Sequence, residues 1–340
     1  MPQEYDIRRP RLDQDRYVLS GILRSIDMAK NTVLITGASG FLGRPLVGEL
    51  LKAGYSIRAT TRRAERLPRS VETVVIPDLR KAVDWKPVLA GVNTVIHLAG
   101  LAHPDARGTT YEAFDSVNRL ATQNLALSAA RAGVERFMFL SSVRAQAGAS
   151  AKQMVREIDE ACPTDAYGRT KLAAETALRA SGVPFTILRP VAVYGPRPIG
   201  HIQALLRLAR TNLPLPFLGL TGRRSLLGID NLTSSVLFLL NNPAAINETY
   251  LIADPKPLTL AETVSLLRKA QGRQARQFYV PPFLFRLALG LMNRREFWAR
   301  LGENLIVDPG KLQALGWRPV VATADGLAAM IGAQGNANSR

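Results

Sequence analysis

The sequence predicts an α/β protein, a doubly wound parallel sheet with a smaller C-terminal substrate-binding region, and three observations carry that expectation. Val33, Leu34 and Ile35 form an apolar run suited to a strand buried on both faces; Gly37, Gly40 and Gly43 follow, and Leu46, Val47, Leu50 and Leu51 then recur at helical spacing. Short apolar runs continue to alternate with helical patterns as far as Ala180. At 340 residues and 47% hydrophobic, the chain can bury a large core and divide into two domains, or one domain with a sizeable insertion.

The glycine turn comes first. Its residues must lack Cβ so that the backbone can approach a pyrophosphate and the first helical amides can point at it. The G-x-x-G-x-x-G spacing is one residue longer between the first pair than the usual dinucleotide fingerprint, but strand, turn and helix follow in the required order. The stretch reads as a Rossmann-type nucleotide site, with Gly37, Ser39, Gly40, Phe41, Leu42 and Gly43 as its contacts.

Ser56 to Thr61 reads as the second strand, running into Arg62 and Arg63. An NAD site usually offers a carboxylate here for the ribose 2′-hydroxyl. Two arginines stand in its place, and a guanidinium suits a 2′-phosphate through bidentate bonds, so NADP(H) is preferred over NAD(H). Solvated arginines at a strand end are the plain alternative. Val71 to Ile76 is the third strand, with Asp78 and Leu79 just beyond it at the expected cofactor edge. Val92 to Leu98 is the fourth, and the small residues after it (Leu98, Ala99, Gly100) leave room for a cofactor. His97 reads as a packed residue; His103, beyond the strand end, is the better candidate for lining the site, with a solvated loop position as the alternative.

Tyr111 to Ala132 is a long helical pattern, Arg136 to Leu140 the fifth strand closing on Ser141 and Ser142, and Ala166 to Ala180 a further helix. Tyr167 and Lys171, four apart on that helix, share a face. A nearby ammonium stabilises phenolate, which predicts a lowered tyrosine pKa and a phenol fit for proton transfer. Lysine can also hold a ribose hydroxyl, and a serine at the preceding strand end can hydrogen-bond the reacting oxygen.

Bulk properties set the surroundings. A net charge of +17 asks for anionic partners, but no basic stripe interleaved with aromatics and no zinc-finger spacing speaks for nucleic acid. Cys162 stands alone, so no disulfide or cysteine-rich metal site is expected. No run has the length and apolarity of a membrane span or a secretory signal, which makes the cytoplasm the default. Residues 1–28 carry mixed charge without periodicity and are expected to be loosely ordered.

Taken together, the chain resembles the extended short-chain dehydrogenase/reductase superfamily, in its nucleotide-sugar epimerase/dehydratase/reductase branch, from Thr32 to about Pro319. The resemblance rests on Thr36 to Gly43, on His97 to Gly100, on Val117-Asn118, on Ser142 with Tyr167 and Lys171, on Leu188-Arg189-Pro190 with Val193 to Pro196, on Arg224 to Leu232, and on the closing Val307 to Leu312 and Leu315 to Pro319. It implies Ser142, Tyr167 and Lys171 as a catalytic triad, with Lys171, Pro190 and Val193 among the cofactor contacts. It also implies Arg224 at a substrate diphosphate, His201 where related reductases tend to have asparagine, and dimerisation through the helices at 111–132 and 165–181. Residues 29–190 would form the cofactor domain with 224–254 returning to it, 191–223 and 255–331 the substrate region, and 332–340 a flexible tail.

The reaction that follows is hydride transfer at a sugar carbon, most often C4. Val143 and Arg144 occupy the positions where 4,6-dehydratases place Asp-Glu, so dehydration ranks last. Ala192 replaces an asparagine common two residues before the Tyr-Gly-Pro, and Gln146 a tyrosine common four residues after the serine. Preference for the 2′-phosphate fits net reduction, which places a UDP-sugar 4-ketoreductase of surface-polysaccharide precursor synthesis ahead of a UDP-glucose or UDP-GlcNAc 4-epimerase. A non-catalytic NADP(H)-binding module and a reductase of non-nucleotide carbonyls are further alternatives. Finally, Pro281 to Leu301 is apolar with basic residues at intervals; a helix pair packed on the substrate region is preferred there to a membrane-surface segment.

Overall fold

The computed structural model describes residues 31–63, 67–102, 110–198, 200–292 and 296–335. Its centre is a seven-stranded parallel sheet built from β1 (Thr32–Thr36), β2 (Ser56–Thr61), β3 (Glu72–Val75), β4 (Thr94–His97), β5 (Arg136–Leu140), β6 (Phe185–Pro190) and, after three short strands, β10 (Glu248–Ile252). Their spatial order is β10-β6-β5-β4-β1-β2-β3, so the chain reverses direction between β1 and β4. A ligand crevice opens at the carboxyl ends of the strands where such a reversal occurs. The inner strands read as continuous apolar runs because helices cover both faces: all five residues of β5 are buried.

On one face lie α1 (Gly43–Lys52) and α7 (Ile229–Leu240). On the other lie α2 (Trp85–Leu89), α3 and α5 (Ala166–Arg179), whose Leu125, Ala126, Ala129, Ala174 and Leu178 pack with Leu34, Phe137 and Phe139. Helix α3 runs through Tyr111–Asp115, Ser116–Leu120 and Ala121–Arg131, and its middle segment is a π turn that periodicity did not foretell. A π turn locally widens the helix, a feature frequent at functional sites. Here the widening falls on Asn118, which is buried and braces the chain after β4: Oδ1 accepts from Leu101 N at 2.8 Å and Nδ2 donates to Leu101 O at 3.0 Å.

The remaining elements build the smaller region: α4 (Val143–Gln146), β7 (Ala192–Tyr194), α6 (Gly200–Ala209), β8 (Arg223–Arg224), β9 (Leu226–Gly228), β11 (Leu258–Thr259), α8 (Leu260–Lys269), α9 (Pro282–Leu291), α10 (Glu296–Leu301), α11 (Gly310–Ala314) and α12 (Thr323–Gly335). Helix α12 carries ordered structure past residue 331, where a tail was expected; residues 336–340 and 1–30 lie outside the described residues. Within the stretch assigned to the substrate region, Leu305, Val307, Leu312 and Trp317 pack into the same core as β1 and β10, and Lys311 Nζ pairs with Glu248 at 2.6 Å. Sequence order suggested otherwise because burial against a distant sheet edge leaves no local signal.

The expected packed helix pair leaves one stripe open. The two helices form, but none of the ten residues of α9 is buried, and Leu291 and Met292 are 82% and 67% exposed. Among the described residues, no helix is long and apolar enough to cross a membrane.

Candidate active site

The turn between β1 and α1 is shaped by two glycines. Gly37 has φ +75°, and a Cβ there would lie 2.9 Å from Ala99 N; a Cβ on Gly43 would lie 2.2 Å from Gly37 O. The turn therefore seats itself against the end of β4 by backbone contact, which joins the two strand ends of the crevice. Gly40 is exposed, with its amide tied to Gly37 O at 3.0 Å. Ser39, Phe41, Leu42, Leu98 and Ala99 are half-buried along it, and Gly100 is exposed above it. Gly100 faces the lysine: a Cβ there would lie 3.3 Å from Lys171 Nζ.

Beneath the crevice His97 is fully buried. Its ring nitrogens pair with Thr36 Oγ1 at 2.6 Å and Thr122 Oγ1 at 3.0 Å, and burial pushes it down to about 3, with Lys171 adding to the shift. It is a neutral packing residue, as its place inside an apolar strand suggested.

Lys171 and the two serines converge at the end of β5. Lys171 Nζ donates to Leu140 O at 2.7 Å and lies 4.5 Å from the Phe139 ring centroid; burial lowers it to about 8, against the opposing charge of Glu175. Ser142 caps α4, its Oγ accepting from Arg144 N at 3.1 Å, and it shares a hydrogen bond with the Tyr167 phenol. Tyr167 enters the cleft from the first turn of α5, which Asp165 caps by accepting from Gly168 N at 2.7 Å. Ser142 and Tyr167 thus meet at the end of β5, and Lys171 Nζ reaches the same strand end at Leu140 O.

One expectation fails. Lys171 was expected to lower the tyrosine, but the Tyr167 pKa is raised: burial outweighs the hydrogen bond from Ser142 and the Arg144 charge, and Asp165 adds to the rise. In this state the phenol holds its proton at neutral pH, ready to donate it.

The 2′-phosphate candidates sit at the end of β2. Arg62 and Arg63 are both exposed, and Arg62 Nη1 lies 3.8 Å from Asp78 Oδ2. Asp78 is held down to about 2, chiefly by its hydrogen bonds with Arg80. Leu79 is half-buried beside it. At the far side of the cleft, Pro190 ends β6 buried and Val193 is half-buried on β7.

Of the substrate candidates, Arg224 on β8 reaches inward, donating to Ala149 O at 3.0 Å and Ala299 O at 3.2 Å. Burial, then the like charges of Arg144 and Arg300, push it down to about 10, so it remains cationic at neutral pH while crowded by two further guanidiniums. His201 is exposed on α6 and meets Arg300 Nη1 at 2.8 Å from its Nε2. His103 lies outside the described residues.

A family model described as the NAD dependent epimerase/dehydratase family matches residues 33–253. UDP-glucose 4-epimerase of Vibrio cholerae is 31% identical over 319 residues, covering 91% of this chain and 97% of the relative. The chain belongs to the NAD dependent epimerase/dehydratase family. Also similar are a ketoreductase of Stigmatella aurantiaca that acts on 4-hydroxy-2-methyl-3-oxo-4-farnesyl-3,4-dihydroquinoline-1-oxide, 28% identical over 286 residues and covering 80% of this chain and 79% of the relative, and the structure of MoeE5 in complex with UDP-glucose and NAD, 28% identical with a TM-score of 0.73, covering 91% of this chain and 100% of that one. This epimerase/dehydratase family member is an enzyme of the short-chain dehydrogenase/reductase type with a nicotinamide dinucleotide as cofactor.

The turn of this family member fits such a cofactor: the backbone positions that a Cβ would block are glycine. Sequence reasoning gave no role to several residues here. Asn118, named there only within the Val117-Asn118 pair, holds the chain just after Gly100 through Leu101. Arg144 joins Asp165 in an ion pair beside Tyr167, and Arg300 completes the cationic group around Arg224. Arg144 was in view as the missing dehydratase carboxylate, which hid what a cation there could do; Arg300 carried no signal beyond its charge. Among the described residues, no group of three or more His, Cys, Asp or Glu could hold a metal ion.

Proposed function

We propose that this family member reduces the 4-keto group of a UDP-sugar with NADPH. The single observation that carries the reading is the pairing of Tyr167, hydrogen-bonded to Ser142, with the inward-reaching Arg224, which feels the charges of Arg144 and Arg300. The first arrangement suits proton donation to a carbonyl oxygen, and the second suits a diphosphate.

Gly37, Ser39, Gly40, Phe41, Leu42 and Gly43 would hold the pyrophosphate, Asp78, Leu79, Leu98, Ala99 and Gly100 the adenosine side and the crevice floor, and Pro190 and Val193 the nicotinamide side. When bound, the cofactor supplies the hydride. Ser142 and Tyr167 hold the sugar carbonyl oxygen, and as C4 gains hydride Tyr167 gives that oxygen its phenolic proton, so the ketone becomes a secondary alcohol. Lys171 orients the ribose and steadies the phenolate left behind, which regains a proton from solvent. Arg62 and Arg63 at the end of β2 favour the 2′-phosphate of NADPH; Asp78 competes for Arg62. His201, through Arg300, and His103 would border the sugar. Homodimerisation would use α3 and α5, with Tyr111 and Leu120 exposed on α3.

A second reading, UDP-sugar 4-epimerisation, is favoured by the 31% identity to the Vibrio cholerae enzyme over nearly the whole of both chains. Incubation with UDP-4-keto-6-deoxy-GlcNAc and NADPH, and separately with UDP-glucose or UDP-GlcNAc, separates the two. Loss of NADPH absorbance with the keto sugar supports reduction. Inversion at C4 without net cofactor change sinks it.

A further inference from the structure

Helix α9 is apolar apart from Arg286, yet none of its residues is fully buried: Pro282, Phe285, Leu289 and Gly290 are half-buried and the other six are exposed. Phe283, Leu287 and Leu291 recur every four residues as one stripe, 64%, 58% and 82% exposed, and Met292 extends it at 67%. Between α9 and α10 opens a trough of about 630 Å³ lined by Phe283, Arg286, Leu287, Gly290, Leu291 and Trp298. Contiguous exposed apolar surface of this kind marks an interaction site rather than ordinary surface.

Charge selects the occupant. From Gln271 to Arg295 the sequence holds Arg273, Arg276, Arg286, Arg294 and Arg295 and no Asp or Glu. A second copy of the chain would bring this basic stretch against itself, whereas an anionic lipid surface complements it. Arg286 places its guanidinium 5.7 Å from the Trp298 ring centroid, at the junction of apolar body and polar rim that suits a headgroup boundary. A ten-residue helix is about 15 Å long, too short to span a bilayer and suited to lie in its interface.

We propose that α9, with the trough it forms against α10, docks this protein on the surface of an anionic lipid bilayer. The stripe Phe283-Leu287-Leu291 enters the acyl boundary while Arg286 meets the headgroups. Helix α10 links this surface to the cleft, because its Ala299 carbonyl accepts from Arg224. The proposal does not depend on which sugar reaction the cleft performs.

The test is co-sedimentation of the full chain with phosphatidylcholine vesicles, with and without phosphatidylglycerol, at low and high salt. The expected result is binding at least about ten-fold stronger to the anionic vesicles, weakened by salt, and reduced at least about ten-fold by Leu287→Glu with Leu291→Glu. Both positions are exposed, so circular dichroism and melting should match wild type; if the double variant folds poorly, Phe283→Ser probes the same stripe alone. No binding to anionic vesicles at low salt overturns the proposal. So does binding that ignores these substitutions, or a dimer in light scattering that Leu291→Glu dissolves, which would show a second copy covering the face.

Discussion

The Arg224 guanidinium donates to the Ala149 carbonyl at 3.0 Å, tying β8 to the loop after α4 across the substrate side of the cleft. Among the described residues its hydrogen bonds go to carbonyl oxygens, with the charges of Arg144 and Arg300 acting on it, an arrangement suited to receive a diphosphate.

Arg224→Ala is therefore expected to raise KM for the nucleotide sugar by about ten- to a hundred-fold, the loss of one charge-assisted contact, and to change kcat much less. Competition by UDP checks it: an unchanged inhibition constant would remove Arg224 from the diphosphate.

Tyr167→Phe should lower kcat by about 10²–10⁴-fold and leave cofactor binding intact. Nicotinamide fluorescence measures the binding and NADPH oxidation the rate. Retained turnover would refute the proton-donor role.

Arg62→Ala should weaken NADPH by about ten-fold and NADH hardly at all, since only the 2′-phosphate offers a bidentate partner. The exposed side chain and its 3.8 Å neighbour Asp78 limit the effect. Equal losses for both cofactors would count against 2′-phosphate recognition.

Lys171 sets a pH dependence with a definite sign. Its folded pKa is about 8, below the usual 10.5, because burial outweighs Glu175. Unfolding takes up a proton between these values, so the penalty of burying the ammonium is full below pH 8 and eases as pH rises toward 10.5. Urea unfolding should show the Lys171→Met variant gaining most over wild type below pH 8, and the gap narrowing above it; a constant gap would contradict the shift.

Glu175 and Arg189 form a buried pair, Oε2 to Nη2 at 2.5 Å, with Ser141 also donating to the carboxylate and Gln146 accepting from the guanidinium. Removing one partner strands the other charge in the core. Arg189→Ala should destabilise by about 3–5 kcal/mol in urea titrations. A loss near the scatter of a surface substitution would show that the pair is solvated.

Much of the parallel sheet was legible because its signals are local. Strand, glycine turn and helix adjoin in sequence, and four residues place Tyr167 and Lys171 on one face. The Leu188-Arg189-Pro190 motif was legible as a pattern, but its role as half of a buried ion pair was not, since Glu175 lies on another element. The sign of the Tyr167 shift went astray for a related reason: helical spacing measures the distance to Lys171 and says nothing of the burial that outweighs it.

By itself, the sequence determined the doubly wound class, the glycine turn between the first strand and helix and the spacing of Tyr167 and Lys171, since each depends on backbone stereochemistry or periodicity within a few residues. The tertiary structure decided which charges act on Arg224, that His97 is neutral and packed, that Trp317 belongs to the β1 core, and that one stripe of α9 stays exposed. Those outcomes depend on burial and on contacts between residues far apart in the chain, and desolvation is a property of the assembled fold that no short stretch encodes.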